Sequence, residues 1–95
     1  DETRAAIREL HSRGYLADPH TALAWAALNE SLQPEEQGVF LCTAHPAKFL
    51  ETIQDTLGIE VPLPPELEAV KDDRILSSTI AGDFESLKRE LAPLR

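Results

Sequence analysis

Gly38-Val39-Phe40-Leu41-Cys42-Thr43-Ala44-His45-Pro46-Ala47-Lys48-Phe49 is the stretch on which the fold turns. Its first five residues form a continuous apolar run with no polar alternation. Bounded by turn signals, such a run predicts a strand at about 38–42 covered on both faces, as strands are in parallel sheets. From Pro46 the period changes. Phe49, Leu50, Ile53 and Leu57 fall on one helical stripe, and Gly58 can close the helix in the left-handed conformation. Strand followed by helix is half of a βαβ unit, so the chain reads as α/β with the partner strands missing.

Upstream, residues 2–13 predict a helix with Ala6, Ile7 and Leu10 on one face, ended by Gly14. Asp18-Pro19 then starts a second helix. The Asp carboxylate accepts from otherwise unpaired backbone N–H groups, and Pro fits the first helical position. Residues 22–28 of that helix, Ala-Leu-Ala-Trp-Ala-Ala-Leu, are all apolar. A helix without a polar face is normally buried all round, and this chain is too short to surround one. Residues 29–37 are polar, contain Pro34 and read as a loop. Downstream, 59–65 is a Pro-rich connector, followed by a short helix near 66–70 and a strand or extended arm over 74–80. Asp83 caps a last helix with Phe84, Leu87 and Leu91 on its apolar face. Glu85 and Arg89 there are placed four apart to pair. The helix without a polar face and the strand without partners both point outside the chain. A piece of a larger α/β protein is therefore expected, with residues 1–95 not a complete catalytic unit; the opening without Met agrees with processing or truncation.

Charge narrows the partners. Seventeen acidic residues against nine basic give a net charge of −8, with no basic run. That opposes nucleic-acid binding and docking on anionic membranes, both of which need clustered cations. No apolar run is long enough to span a bilayer, and no signal-peptide pattern opens the chain. The single cysteine, Cys42, forms no internal disulfide and suits a reducing compartment. A cytoplasmic location is expected.

In an open α/β sheet, ligands bind beyond the carboxyl ends of the strands. That point here is Thr43-Ala44-His45, before a helix start whose N–H groups favour a polar or anionic ligand. Thr43 offers a hydroxyl that stays neutral near pH 7; its alternative role is a helix cap. Cys42 and His45, with His11 or His20, lack the paired spacing of a metal site, and none is expected. Lys48 lies one turn into an amphipathic helix, a place for a surface or substrate-anion contact rather than a desolvated nucleophile. The four glycines are scattered singly, so no Gly-rich phosphate loop is present.

The run Thr43-Ala44-His45-Pro46-Ala47-Lys48-Phe49 closely resembles a motif near the C-terminus of threonine synthases of the bacterial and fungal branch. Tyr15-Leu16-Ala17-Asp18-Pro19-His20-Thr21-Ala22, Pro62-Leu63-Pro64-Pro65-Glu66-Leu67 and Asp83-Phe84-Glu85-Ser86-Leu87 are similar to further segments of that family, in order and rough spacing. Together they cover about residues 15–91. The resemblance implies the C-terminal portion of a tryptophan-synthase-β-like enzyme dependent on pyridoxal 5'-phosphate. Such an enzyme turns O-phospho-L-homoserine and water into L-threonine and phosphate. It implies that Thr43 hydrogen-bonds the pyridine nitrogen of the cofactor, with Ala44, His45 and Lys48 near the substrate or supporting the site. The Schiff-base lysine and the phosphate loop belong, by the same resemblance, to the upstream part of the enzyme. Lys48 does not match the Schiff-base position, and no catalytic residue is expected in this chain. A stand-alone acidic binding module that keeps part of the fold without the chemistry is the alternative expectation.

Overall fold

The computed structural model describes residues 1–94. Three helices make the packed half. Helix α1 (Glu2–Ser12) is started by Asp1, whose carboxylate accepts from the Arg4 N–H at 2.9 Å. Its apolar spacing puts Ala6, Ile7 and Leu10 on one buried face. It ends where Gly14 takes φ +88°, a conformation that carries little penalty only without a Cβ. There the Gly14 N–H donates to the His11 carbonyl and the Tyr15 N–H to the Leu10 carbonyl, which satisfies two of the helix's last free acceptors.

Helix α2 (Pro19–Ser31) begins at Asp18 with Pro19 in its first turn, as the sequence predicts. It is not buried all round. Thr21 and Ala22 are fully enclosed and Trp25 and Ala26 pack partly on the core, while Leu23 stands half in solvent. The helix covers α1 with one face and leaves its other apolar side open, which is what a chain of this length permits. The Arg13 guanidinium lies 5.7 Å from the Trp25 ring centre, so its cation covers part of the open indole.

The predicted helix at Pro46 forms in two parts. Pro46–Phe49 is a 3-10 turn and Leu50–Leu57 is the α-helix α3, closed by Gly58 at φ +67°. Ile53 is wholly buried against α1, and the Arg4 guanidinium donates to the Thr56 hydroxyl at 3.2 Å across the same contact. The core consists of Ala6, Ile7, Leu10, Ala17, Ala22, Ala47, Ile53 and Val61. Val61 sits in a connector with no periodicity to announce it.

The strand expected at 38–42 is not formed: the described residues contain no strand. The segment runs irregularly past α2 with Val39 90% and Leu41 75% exposed. A strand exists only through backbone hydrogen bonds to a neighbour, and among the described residues 38–42 make none. Gly38 backs onto Leu28 so closely that a Cβ would lie 2.6 Å from its Cδ1.

Beyond Val61 the chain leaves the core. Leu63 and Leu67 still touch it, the latter from the single-turn helix α4 (Pro65–Glu68). Residues 74–80 are an extended arm, and Ile75 and Leu76 are among its exposed residues. Helix α5 (Phe84–Leu91) follows, capped by Asp83, and a 3-10 turn Ala92–Leu94 ends the described chain. Arg89 donates to the Ser86 hydroxyl at 3.1 Å, and the pairing with Glu85 is not formed among the described residues. The arm lengthens the molecule to 57 × 30 × 23 Å with a radius of gyration of 18.3 Å, against about 12 Å for a compact chain of this size.

Candidate functional site

The segment from Thr43 to Lys48 lies between the irregular 38–42 run and α3. His45, not Thr43, caps the 3-10 turn: its Nδ1 accepts the Ala47 N–H at 3.0 Å, and its carbonyl accepts the Lys48 N–H at 3.0 Å. Accepting at Nδ1 places the ring proton on Nε2, which points the donor side of His45 away from its own backbone. The α-helix starts only at Leu50, so the anion-favouring helix end expected at 43–45 is a four-residue 3-10 turn instead. With the cap supplied by His45, the Thr43 hydroxyl is exposed and makes no hydrogen bond among the described residues. Ala44 is half-buried and Ala47 buried, anchoring the loop, while Lys48 projects into solvent.

The connector between α1 and α2 runs beside this loop. The Tyr15 hydroxyl donates to Cys42 Sγ at 3.1 Å, immediately before Thr43. Because the phenol must keep its proton to make that bond, the Tyr15 pKa is raised, and desolvation adds to the effect. At the other end of the loop the His20 ring meets Phe49 edge-to-face, with centres 5.0 Å apart. His20 is held in turn by Asp18, whose Oδ2 takes both its N–H and its Nδ1 at 2.9 Å.

Asp18 is the most heavily bonded side chain of the molecule's packed half. Its other oxygen accepts the Thr21 N–H at 3.2 Å and, more closely, the Thr21 hydroxyl. Burial pushes its carboxyl up, but the hydrogen bonds from Thr21 and His20 outweigh burial and leave it below its ordinary value. The sequence marks Asp18 as a helix cap; the link it makes, through His20, to the motif 43–49 is long-range and has no sequence signal. Nor has the Tyr15–Cys42 bond. The groups considered for a metal are dispersed: Cys42 faces Tyr15, His20 faces Asp18, and His45 caps its own turn. No three such groups converge among the described residues.

Residues 21–90 match the family model described as threonine synthase, C-terminal. The threonine synthase of Haemophilus influenzae is 42% identical over 90 residues, covering 95% of this chain and 21% of that protein. That of Escherichia coli is 43% identical over 89 residues, covering 94% and 21%. The fungal enzyme of Eremothecium gossypii is 32% identical over 65 residues, covering 59% and 13%. The crystal structure of threonine synthase from Escherichia coli superposes with a TM-score of 0.87 at 40% identity, over 99% of this chain and 22% of that one. The chain thus spans about a fifth of the length of the curated relatives it matches.

Proposed function

Because the chain belongs to the threonine synthase family, we propose that it forms the C-terminal wall of the cofactor site in a pyridoxal-phosphate-dependent enzyme. That enzyme converts O-phospho-L-homoserine and water to L-threonine and phosphate, and its remaining parts correspond to the roughly four-fifths of the relatives that these residues do not match. The observation that carries the reading is the family match over residues 21–90, which contains the whole motif from Thr43 to Phe49. The identity runs along nearly the entire chain, which favours an enzyme segment over a stand-alone acidic module.

Thr43 fits the cofactor by its chemistry. A neutral, exposed hydroxyl with no partner among the described residues can donate to the ring nitrogen of pyridoxal phosphate. When bound, the cofactor supplies the electron sink for breaking bonds next to the amino-bearing carbon. Thr43 orients the ring and, being neutral, leaves the ring nitrogen without a proton, which tempers that sink. The half-buried Ala44 and the capped His45 hold the Thr43 backbone in place, and the Nε2–H of His45 is a donor available to the site. Lys48 supplies an exposed cation for an anionic substrate group. Residues 38–42, apolar on both sides, are proposed to complete themselves as a parallel strand against the upstream part, in a tryptophan-synthase-β-like α/β fold. Among the described residues no helix is long and apolar enough to cross a membrane; a cytoplasmic enzyme is proposed.

The test uses the full-length enzyme and follows phosphate release from O-phospho-L-homoserine. Thr43→Val, which keeps shape and deletes the hydroxyl, is expected to lower turnover about tenfold, and Thr43→Ser to restore most of it. Unchanged turnover in Thr43→Val would remove Thr43 from the site.

A further inference from the structure

The connector of residues 15–20 grips the Thr43 loop at both ends. Tyr15 bonds to Cys42, the residue just before Thr43. His20 packs on Phe49, the last residue of the motif. Between them Ala17 and Asp18 are almost wholly buried, so the connector is fixed to the core and cannot follow the loop if it drifts. Asp18 binds the backbone and ring of His20 together, which fixes the face that the imidazole turns to Phe49. Ala44 and Ala47 anchor the far half of the loop, but the segment that leads into Thr43 has little else to hold it. Val39, Leu41, Cys42 and Thr43 are all exposed, and residues 38–42 make no ladder. Two side chains of one connector therefore join the Ala44, His45 and Ala47 anchors in setting where the Thr43 hydroxyl stands.

We propose that Tyr15 and His20 are positioning residues for the cofactor contact of Thr43, Tyr15 through its hydroxyl bond to Cys42 Sγ and His20 through its ring on Phe49. The inference deepens the reading of Thr43 given above and rests on it. A hydroxyl that must meet one ring nitrogen loses its bond when displaced by a few tenths of an ångström, since hydrogen bonds weaken steeply outside a narrow range of distance and angle. Neither Tyr15 nor His20 needs to touch the cofactor to act in this way. The sulfur is a weak acceptor, but the phenol that donates to it needs no charge and no water to do so.

The experiment uses the full-length enzyme and reads the affinity for added pyridoxal phosphate and the visible absorption band of the bound cofactor. The variants are Thr43→Val, Tyr15→Phe, His20→Ala, Cys42→Ala and Cys42→Ser, with Tyr15→Phe also combined with Thr43→Val. Tyr15→Phe and Cys42→Ala are each expected to weaken cofactor binding about three- to tenfold and to shift the band in the direction of Thr43→Val. His20→Ala is expected to act in the same direction. Cys42→Ser, whose hydroxyl can still accept from Tyr15, is expected to bind as the parent does. In the Thr43→Val background Tyr15→Phe is expected to add nothing, because the bond it positions is already gone. A Tyr15→Phe enzyme with parental affinity and band, beside an altered Thr43→Val, overturns the positioning role and leaves Thr43 in its place. An equal effect of Tyr15→Phe with and without Thr43 overturns it too. If Thr43→Val itself leaves affinity and band unchanged, the cofactor contact fails and the inference falls with it. Melting curves by circular dichroism accompany each variant: a lowered midpoint with an unmoved band and affinity marks a purely structural role and counts against the proposal.

Discussion

Asp18 and Asp83 start their helices in the same way and end in opposite surroundings. Each precedes a residue with a hydroxyl three positions on, and each carboxylate accepts from that residue's N–H and hydroxyl: Thr21 for Asp18, Ser86 for Asp83. The local pattern is repeated, except that one Asp18 oxygen takes both Thr21 groups while its other holds His20, whereas the two Asp83 oxygens divide the Ser86 groups between them. Around Asp18 the helix lies on a core in which Ile7 and Ile53 are wholly buried, and around Asp83 it stands on an arm with Phe84 72% exposed. The difference teaches that capping chemistry is enough to start a helix, while burial needs a second surface. The packed half supplies its own; the arm does not, and its apolar face of Phe84, Leu87 and Leu91 is left open.

The sharpest way to break this comparison is to empty one site in each half. Ile53→Ala removes a buried side chain between α1 and α3, and is expected to cost the isolated chain about 3–4 kcal/mol in urea unfolding. Phe84→Ala removes an equally apolar side chain that covers nothing, and is expected to change stability by less than about 0.5 kcal/mol. Similar losses in both would mean that the arm packs on the core.

A smaller difference is expected between the caps. Asp18→Ala should destabilise by about 2 kcal/mol, since it removes a cap and leaves the enclosed Thr21 hydroxyl without its acceptor. Asp83→Ala should only fray α5, seen as a loss of helical ellipticity with no change in the main unfolding midpoint. Acid sharpens the pair. The Asp18 carboxyl is held below its ordinary value of 3.8, so its contribution is complete above that value and is lost as pH falls through the lower folded-state value. The urea midpoint measured at about pH 6 and about pH 3 should fall less in Asp18→Asn, which has no proton to take up there. An equal fall in parent and variant would assign the acid sensitivity to other carboxylates.

What was legible in the sequence follows the same division. Helix boundaries are local chemistry, and Asp18-Pro19, Gly14, Gly58 and Asp83 announce them correctly. The apolar stripe ending in the buried Ile53 was equally plain. The family was legible as well, because the motif from Thr43 to Phe49 is a dense run of residue types. The strand at 38–42 was not borne by this chain, since an apolar run states a need for partners and not their presence. Val61 carried no period to mark it as core. His45 as the cap of its own turn, Tyr15 against Cys42 and His20 against Phe49 depend on where distant backbone comes together, and residue type alone says nothing of that. The place of Thr43 at the cofactor was legible only through the resemblance, because a threonine after an apolar run fits a helix cap equally well.

The claim at the centre is that residues 38–42 and α5 get their order from the rest of the enzyme, whereas α1 and α3 hold theirs alone. Backbone amide hydrogen exchange, followed in the isolated chain and in the full-length enzyme, tests it directly. Amides in α1 and α3 should exchange slowly in both. Those of 38–42 and α5 should exchange almost freely in the isolated chain and slow by about a thousandfold or more in the full-length enzyme. Protection of α5 and 38–42 in the isolated chain equal to that of α1, or free exchange of both in the full-length enzyme, would contradict the account.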